Sequence, residues 1–420
     1  MSREMKYSGI PWIGEIPEHW EVCFIKQIMR NKSIKGYPDE MVLSLYRDYG
    51  VIPKNSRSDN HNVTSEDTSS YKFVEVGDFV INKMKAWQGS MAVSDYQGII
   101  SPAYYICRFT SKEINKRYIH YLLRNDSYKT EYMRLSSGLR VGQWDLNVDD
   151  FLRIKMICPS LSEQQKIANF LDKKCSEVDE MIALQEQIIE ELKAYKQSVI
   201  TEAVIKGLTP AAPMRDSGIE WIGQIPEHWE VELIGNRIKE HSNPNVGEVE
   251  RNALQFKAGN IISKSVGGSI YVPNTLEAYN IVDKGIVMLN GLNLTFDFVT
   301  QRVALVKERG VITSTYLALQ PQNGICSEYL TYLFKSYDTC KAFHSMGRGL
   351  RQTLSYNELR KYLVICPPTT EQQAIADYLD EKCADIDSLI QTKQSKIDSL
   401  KEYKKSIIYE YVTGKREVEL

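Results

Sequence analysis

Polar side chains cluster in four short segments, each of which follows a strand-like run of residues. The first half of the chain has NKMKAWQG and GLRVGQW, and the second half has NGLNLTFD and GRGLRQT. Arginine, lysine, asparagine and glutamine can hydrogen-bond to the edges of nucleic-acid bases when a loop holds them in place. A solvated loop or a phosphate contact is an equally good interpretation of any single residue. The candidate residues are Lys83, Lys85, Gln88, Arg140, Gln143, Trp144, Asn290, Asn293, Arg348, Arg351 and Gln352.

No set of residues has the spacing of a common catalytic site. His19 and His228 would be the obvious general bases, but neither has a serine, cysteine or aspartate arranged nearby as such a base requires. The sequence has no phosphate-binding loop, no glycine-rich nucleotide motif and no HExxH helix. CPPT (366–369) resembles a methyltransferase tetrad but lacks its leading asparagine and its aromatic residue. We therefore expect no active site, and we expect both histidines to be hydrogen-bonded structural groups.

The eight cysteines predict neither a metal site nor a redox motif. No two of them are closer than fourteen positions, so the paired spacing of a zinc ligand set is absent. Cys158 and Cys175 recur as Cys366 and Cys383, which indicates repeated packing. We expect reduced, mostly buried thiols.

The chain is an internal duplication. SGIPWIGEIPEHWEV (8–22) returns as SGIEWIGQIPEHWEV (217–231), with 13 of 15 positions identical. A second pair begins EQQKIANFLDKKC at Glu163 and EQQAIADYLDEKC at Glu371, and 18 of its 38 positions are identical. Between these anchors the halves differ much more. The repeated segments enclose a different sequence in each half. This indicates one fold that is used to recognise two different targets. The tryptophans of the first repeat should attach each domain's first strands to its core or to a partner.

The second repeat predicts one long helix in each half. SEQQ (162–165) and TEQQ (370–373) fit a capping box with Ser162 or Thr370 as the cap. Gly207 and Gly414 stand where each helix should end. Each helix is then about 40 residues, or roughly 60 Å, long.

Apolar residues in both helices follow the spacing of three and four positions that is typical of a coiled coil. Gln185 and Lys393 occupy matching polar positions in this seam. The simplest packing is antiparallel within one chain, around a pseudo-two-fold axis that places one globular domain near each end. A dimerisation coiled coil between separate chains is the alternative. The predicted seam residues are Leu171, Val178, Met181, Ile188, Leu192, Tyr195, Val199, Leu379, Ile386, Leu389, Leu400, Tyr403 and Ile407.

The middles of both halves alternate short β-branched or aromatic runs with helical stretches, which predicts mixed α/β (α+β) domains with a curved sheet. The expected order is a domain at 1–160, a helix at 161–208, a second domain at 209–367 and a second helix at 368–415.

Composition fits an ordinary globular protein and gives weak information about partners. Residues 1–160 carry 22 Lys/Arg against 19 Asp/Glu, and 211–364 carry 16 against 15, although the whole chain has a net charge of −2. If DNA is bound, non-specific phosphate attraction cannot supply most of the affinity. The sequence has no apolar run of about 20 residues and no signal peptide, so we expect a cytoplasmic protein.

At the two IPEHWEV segments and the two EQQ-headed helices, the chain resembles the specificity (S) subunit of type I restriction-modification systems. The resemblance covers essentially the whole chain. It implies that each domain is a target recognition domain for one part of a bipartite, asymmetric DNA site, and that the helices set the gap between the parts. The polar clusters then become candidates for base contacts. Readers about 50–60 Å apart would suit half-sites somewhat more than one turn of DNA apart.

The resemblance also implies the partners. Two modification subunits would dock on the repeated regions and supply S-adenosylmethionine and adenine N6-methylation. Two restriction subunits would supply translocation and cleavage with ATP and Mg²⁺. The chain itself would hold no cofactor and no metal ion. Without the resemblance, the alternatives are a coiled-coil adaptor whose two domains bind proteins, and an enzyme that acts alone.

Overall fold

The computed structural model describes residues 3–418, except 48, 58–66, 139–143, 258, 265–274, 296–300 and 348–351. The chain forms two compact units. Unit 1 comprises Met1–Gln185 and Ser395–Leu420, and unit 2 comprises Glu186–Gln394. Each unit therefore contains one globular part and one half of each long helix, whereas the expected domains were bounded by the helix ends.

Unit 1 mixes short strands with short helices in its globular part. The elements in chain order are β1 (Met5–Tyr7), β2 (Glu15–Pro17), β3 (Glu21–Phe24), β4 (Met29–Lys32), β5 (Leu43–Tyr46), β6 (Gly50–Pro53), β7 (Lys72–Val74), β8 (Phe79–Asn82), β9 (Met91–Val93), β10 (Gly98–Ile100), β11 (Tyr104–Phe109), α1 (Lys116–Arg124), α2 (Asp126–Leu135), β12 (Ser136–Ser137), β13 (Asp145–Leu146), α3 (Val148–Leu152), β14 (Lys155–Cys158) and α4 (Leu161–Lys206).

Unit 2 repeats this order with few differences. Its elements are β15 (Met214–Asp216), β16 (Gln224–Pro226), β17 (Glu230–Leu233), α5 (Ile234–Arg237), β18 (Ile238–Glu240), β19 (Leu254–Lys257), β20 (Asn260–Ser263), β21 (Tyr279–Val282), β22 (Val287–Leu289), β23 (Val303–Leu305), β24 (Gly310–Thr313), β25 (Leu317–Pro321), α6 (Ser327–Thr339), α7 (Ala342–Met346), α8 (Tyr356–Leu359), β26 (Leu363–Cys366) and α9 (Thr369–Val412).

One antiparallel four-stranded sheet organises each unit, in the order β4-β11-β8-β9 in unit 1 and β18-β25-β22-β23 in unit 2. Successive residues of β8 point to opposite faces, so Phe79 and Ile81 belong to the main core while Val80 belongs to a second cluster. In β22, Val287 and Met288 divide between two clusters in the same way. These interior strands are buried on both faces, and they fix where the segments that follow them begin. The predicted mixed α/β architecture is confirmed.

The long helices α4 and α9 have 46 and 44 residues and lie antiparallel within the chain. In unit 1, Lys404 Nζ lies 2.6 Å from Asp179, and the rings of Phe170 and Tyr411 are 4.3 Å apart. In unit 2, Lys196 Nζ lies 2.7 Å from Asp387. In an antiparallel helix pair, the residue numbers of facing residues have a constant sum. The two ion pairs have the same sum, so both fit one antiparallel register. The packing is therefore intramolecular rather than a dimerisation of separate chains.

Each helix ends in the core of a different unit. Tyr118 Oη donates to the carbonyl of Val412 at 3.0 Å in unit 1, and Tyr329 Oη donates to the carbonyl of Val204 at 3.1 Å in unit 2. Gly207 and Gly414 both have φ of +71° and terminate the helices, as predicted. At Gly414 a Cβ atom would lie 2.9 Å from the Trp20 ring, so the position excludes a side chain.

The predicted seam was partly wrong. Met181, Tyr195, Leu389 and Tyr403 are 49%, 59%, 50% and 52% exposed. Spacings of three and four fit two neighbouring stripes of a helix equally well, and the prediction drew residues from both. The residues that it placed in the seam and that are buried are Leu171, Val178, Leu379, Ile386 and Ile407. Those that are half-buried are Ile188, Leu192, Val199 and Leu400. Further buried positions are Cys175, Ile189, Ile200, Cys383 and Ile397.

The predicted capping box of α4 lies two residues too late. Ser160 Oγ accepts from the backbone N–H of Glu163, and the Glu163 carboxylate accepts from the backbone N–H of Ser160, both at 3.3 Å. Ser160 follows Pro159. Because a proline ring is not tolerated in the interior of a helix, the helix begins after Pro159, and Ser160 is the first residue whose hydroxyl can cap it. Gln165 instead donates to Asn169.

Cys23 and Cys158 form a disulfide across the β3–β14 strand pair. The expectation of reduced thiols is wrong for these two, because neighbouring antiparallel strands bring side chains of distant sequence position together. Cys107, Cys175, Cys326, Cys340, Cys366 and Cys383 are free. Over the described ranges, no helix combines the length and the apolar character that a membrane span needs.

Candidate nucleic-acid interface

The first candidate segment of unit 1 is a short 3-10 helix, Lys83–Gln88, placed directly after β8. Asn82 caps it, because its Oδ1 accepts from the backbone N–H groups of Met84 at 3.1 Å and of Lys85 at 3.2 Å. Gly89, with φ of +79°, ends it. The turn buries Ala86 and leaves Lys85 exposed. A polar segment is thus held rigidly at the end of an interior strand.

The structure brings the second candidate segment of unit 1 against the first. The rings of Trp144 and Trp87 lie 5.3 Å apart between centroids, with the planes 60° from each other. Trp144 stands just before β13, more than fifty positions along the chain from the 3-10 helix. Two further candidates, Arg140 and Gln143, lie outside the described residues.

Lysine side chains surround the same end of the unit 1 sheet. Lys83 Nζ lies 4.8 Å from the centre of the Tyr105 ring, and Lys72 Nζ donates to the carbonyl of Tyr104 at 2.6 Å. Burial first, and then the positive charges of Lys83 and Lys35, lower the pKa of Lys72. Lys83 and Lys35 are thus close enough to Lys72 to repel its charge, and an anionic phosphate at this place would relieve the repulsion.

The two candidate segments of unit 2 are also side by side. The backbone N–H of Leu294 donates to the carbonyl of Gln352 at 3.2 Å, and the N–H of Leu354 donates to that of Gly291 at 2.9 Å. A Cβ atom at Gly291 would lie 2.5 Å from the Leu354 carbonyl oxygen, so only glycine permits this approach. In each unit, the candidate segment that follows an interior strand (β8 or β22) therefore lies beside the second candidate segment, which precedes a short helix (α3 or α8) in the chain.

A buried arginine that sequence reasoning did not single out holds the unit 2 segments. Arg302 is completely buried, and its guanidinium donates to the carbonyls of Asn290 at 3.0 Å and Leu292 at 2.8 Å. Its backbone N–H donates to Asp338 Oδ2 at 2.9 Å, and Asp338 is also buried. A buried cation is stable only when it is paired and hydrogen-bonded, so this arrangement fixes the loop firmly. The available signal was an arginine inside the apolar run QRVALV.

The predicted residues of unit 2 differ in what the structure leaves them to do. Asn290 Oδ1 accepts from the N–H of Leu292 at 3.1 Å, which is the turn-capping role that Asn82 has in unit 1. Asn293 is exposed, and both Asn293 and Gln352 have positive φ, +53° and +40°. Left-handed backbone costs a glutamine about 1–3 kcal/mol and clusters at functional sites. Arg348 and Arg351 lie outside the described residues.

The repeated IPEHWEV segment docks on the first glutamate of each long helix. Trp20 Nε1 and His19 Nε2 lie 3.1 Å and 2.8 Å from Glu163 Oε1, and Arg3 binds the same oxygen at 2.8 Å. Burial alone would raise the pKa of Glu163, but hydrogen bonds from His19, Trp20 and Ser160 lower it to about 2.

The same arrangement is present in unit 2. There, Trp229 Nε1 and His228 Nε2 lie 2.9 Å and 2.7 Å from the carboxylate of Glu371. Trp20 and Trp229 are each only 1% exposed. The prediction that the histidines are hydrogen-bonded structural groups is therefore confirmed.

Comparison with known proteins finds similarity to one family. Residues 17–194 match the family model of the type I restriction modification DNA specificity domain. The chain is 25% identical to a type I restriction enzyme MjaX specificity subunit of Methanocaldococcus jannaschii, over 96% of this chain and 95% of the relative. It is 34% identical to the type I restriction enzyme StySPI specificity subunit of Salmonella potsdam, over 26% of this chain and 23% of the relative. The chain is thus similar to type I specificity subunits, through the family model over residues 17–194 and through the MjaX relative over nearly its whole length.

Solved structures share the fold of this chain. One is a chain from a structural study of the assembly and conformational transition of the type I restriction-modification system, with a TM-score of 0.68, 14% identity and coverage of 94% of this chain and 98% of that one. Another is the HsdS subunit from Thermoanaerobacter tengcongensis, with a TM-score of 0.51, 15% identity and coverage of 96% and 98%.

The family model and the relatives are named for DNA specificity in type I restriction enzymes. In the part of the chain that the structure describes, no group of three or more His, Cys, Asp or Glu side chains is arranged to hold a metal ion. The residues that its geometry offers for DNA are the paired loop segments of each unit.

The long helices also carry exposed apolar side chains in each unit, close in sequence to an ion pair between the helices. In unit 1, Met181 and Tyr403 are exposed and lie within two positions of Asp179 and Lys404 in sequence, and in unit 2, Leu389 and Tyr195 stand in the same way to Asp387 and Lys196. We call these the helix patches. The tyrosine, aspartate and lysine are identical in the two copies, although packing of the helix pair does not require an exposed tyrosine. These identical exposed residues lie in the repeated helices, and an exposed apolar residue kept in both copies is a candidate for a surface that is used twice.

Proposed function

We propose that the chain is a type I specificity subunit and that each of its units reads one part of a split, asymmetric DNA target. One observation carries the proposal: in both units, two segments that are far apart in sequence lie together after the same interior strand. The candidate residues differ between the units: lysine and tryptophan occur only in unit 1 and asparagine only in unit 2, whereas arginine and glutamine occur in both. Identical scaffolds with different donors and acceptors suit two different base sequences.

The long helices would set the distance between the two parts of the target. Their 46 and 44 residues correspond to roughly 66–69 Å of helix. Burial of Leu171, Leu379 and Ile397 along the seam supports a stiff spacer, because a packed pair of helices bends less than a single helix or a loop. The gap of unspecified base pairs would then be a property of this chain alone.

The helix patches would each receive one modification subunit. Met181 and Tyr403 in unit 1 are matched in type and spacing by Leu389 and Tyr195 in unit 2, so one partner surface could bind both. This stoichiometry gives two modification subunits for each specificity subunit, with two restriction subunits outside them. S-adenosylmethionine, ATP and Mg²⁺ would bind to those partners, and the assembly would be cytoplasmic.

Selection from a random DNA library tests the recognition proposal. The full chain is assembled with its co-expressed modification subunit and used to enrich duplexes, which are then sequenced. We expect one enriched sequence with two defined parts and a fixed gap. Enrichment of no sequence, or of a single uninterrupted one, would contradict the proposal.

The stoichiometry is tested by counting bound modification subunits with native mass spectrometry. Tyr403→Ala weakens only the patch of unit 1, and Tyr195→Ala only that of unit 2. We expect two bound subunits for the parent, one for each single variant and none for the double variant. Val76→Ala, another exposed apolar position at 62% exposure, is the matched control and should leave two. Two bound subunits in the double variant would refute the assignment.

A further inference from the structure

Two of the six tryptophans are not explained by the internal repeat. Trp12, Trp20, Trp221 and Trp229 occur in the repeated segment, twice in each half. Trp87 and Trp144 have no counterpart, because unit 2 contains no other tryptophan. Although they are more than fifty positions apart in sequence, their rings lie 5.3 Å apart between centroids. The two unrepeated tryptophans therefore form a pair in the part of the molecule where the halves have diverged.

The pair is held in place by the backbone of both candidate segments. The Nε1–H of Trp87 donates to the carbonyl of Met84 at 3.1 Å, inside the 3-10 helix. Trp144 immediately precedes β13, which pairs with β12 through Ser137 and Asp145. Both rings are half-buried, so part of each aromatic surface reaches solvent. This differs from Trp20, which is 1% exposed and belongs to the core.

The residues around the pair are those of a nucleic-acid contact. Met84 is 46% exposed, and Lys85 beside it is exposed as well. Lys83, at the start of the same 3-10 helix, belongs to the lysine group at the end of the sheet. Aromatic rings beside cations bind bases and the adjoining backbone together, since the rings cover base surface while the cations contact phosphate.

We propose that Trp87 and Trp144 form an aromatic contact with the bases of the DNA part that unit 1 reads. The inference rests on the proposed function and adds the chemistry of one of its two sites. Unit 1 recognises its part of the target through apolar contact as well as hydrogen bonds. Unit 2 has no such pair, so the two units differ in the kind of recognition and not only in sequence.

Two forms of apolar contact fit this pair. The rings can cover the C5 methyl group of a thymine in the major groove. Alternatively, they can stack on a base that is partly unstacked from its neighbour. Both forms predict that the binding affinity depends on the identity of one or two base pairs in one part of the target. This preference should depend only slightly on salt concentration.

The test measures binding of the full chain, assembled with its modification subunits, to the duplex that the parent selects. Loss of base–aromatic stacking weakens binding by about 5- to 150-fold, so we expect that loss for Trp87→Ala and Trp144→Ala. Affinity for an unrelated duplex should not change. Tyr96→Ala, a 40% exposed aromatic position in the same unit, is the matched control and should bind like the parent. Equal affinity of the alanine variants and the parent for the selected duplex would overturn the inference, as would an equal loss on both duplexes.

A second measurement decides the question if the alanine variants unfold more easily. The Trp87→Phe/Trp144→Phe variant keeps aromatic packing, and the buried tryptophans still report fluorescence. The selected duplex should protect the parent from acrylamide quenching and should protect the phenylalanine variant clearly less. Equal protection of the two would overturn the inference.

Substituted duplexes distinguish the two forms of contact. Replacing thymine with uracil removes the methyl group, whereas 2-aminopurine fluorescence increases where a base is unstacked. A response to either, abolished in the alanine variants, supports the inference. If no position of the unit 1 part responds to either, the inference fails. A parent assembly that selects no split target would instead contradict the proposed function.

Discussion

Lengthening both long helices by one heptad should widen the gap in the DNA target. The insertion sites are the boundaries between the two units, after Gln185 in α4 and after Gln394 in α9. Because the helices keep one antiparallel register in both units, insertions at both boundaries preserve the Asp179–Lys404 pair on one side and the Lys196–Asp387 pair on the other. Seven residues make two turns of a coiled-coil helix, so the buried stripe stays aligned.

The expected change follows from the rise of the two helices. Seven residues add about 10.5 Å of α-helix, and B-DNA rises about 3.4 Å per base pair, so the preferred gap should grow by about three base pairs. The added base pairs also rotate one part of the target by roughly a quarter of a DNA turn. Part of that rotation has to be absorbed by DNA twist. We therefore expect weaker binding together with the longer gap.

The assay is selection from a duplex library in which the two parts of the target are fixed and the gap varies. Circular dichroism establishes that the double-insertion variant is folded. A heptad in α4 alone is the control, because it leaves seven residues without partners and should destabilise the helix pair. A folded double-insertion variant that prefers the parent's gap would refute the spacer role of the helices.

Three further predictions concern the contacts that shape the units. Glu163→Gln should destabilise the protein by about 1–2 kcal/mol at pH 7, after allowance for solvent screening. Because the pKa of Glu163 falls from its ordinary 4.5 to about 2, its stabilisation is complete above pH 4.5 and is lost as pH falls from there towards 2. Denaturant unfolding of parent and variant at several pH values checks this, and parallel curves would contradict it. Arg302→Met should leave the unit 1 part of the selected target unchanged and relax the unit 2 part; relaxation of both parts would count against its role. Leu171→Ala should cost about 2–5 kcal/mol of unfolding free energy and Lys404→Ala less than about 1, because the buried stripe outweighs an exposed ion pair; equal losses would reverse that ranking.

Repetition made much of the scaffold predictable from the sequence. Two nearly identical segments before Val22 and Val231 had to form the same local structure, and the helix ends at Gly207 and Gly414 follow from glycine at a left-handed position. The exact position of the helix cap was harder to predict. Ser160 and Ser162 both offer a cap, and Pro159 decides between them.

The contacts that build the recognition loops could not be predicted, because they join distant parts of the chain. Nothing in the sequence near Trp87 points to Trp144. Arg302 is a charged residue beside an apolar run, and its role becomes clear only from its hydrogen bonds to Asn290 and Asp338. Composition located the polar segments after the strands. Only the sheet, which fixes where those strands end, brings the segments together.

Exchange of the recognition part between the two units tests the central claim most directly. In the exchange variant, residues 29–152, from β4 to α3, are replaced by a second copy of residues 238–359, from β18 to α8. The variant is assembled with its modification subunits, and its target is selected from a random duplex library. If each unit reads one part of the DNA, the selected target is an inverted repeat of the part that unit 2 reads. A folded assembly that still selects the parent's unit 1 sequence would contradict the account.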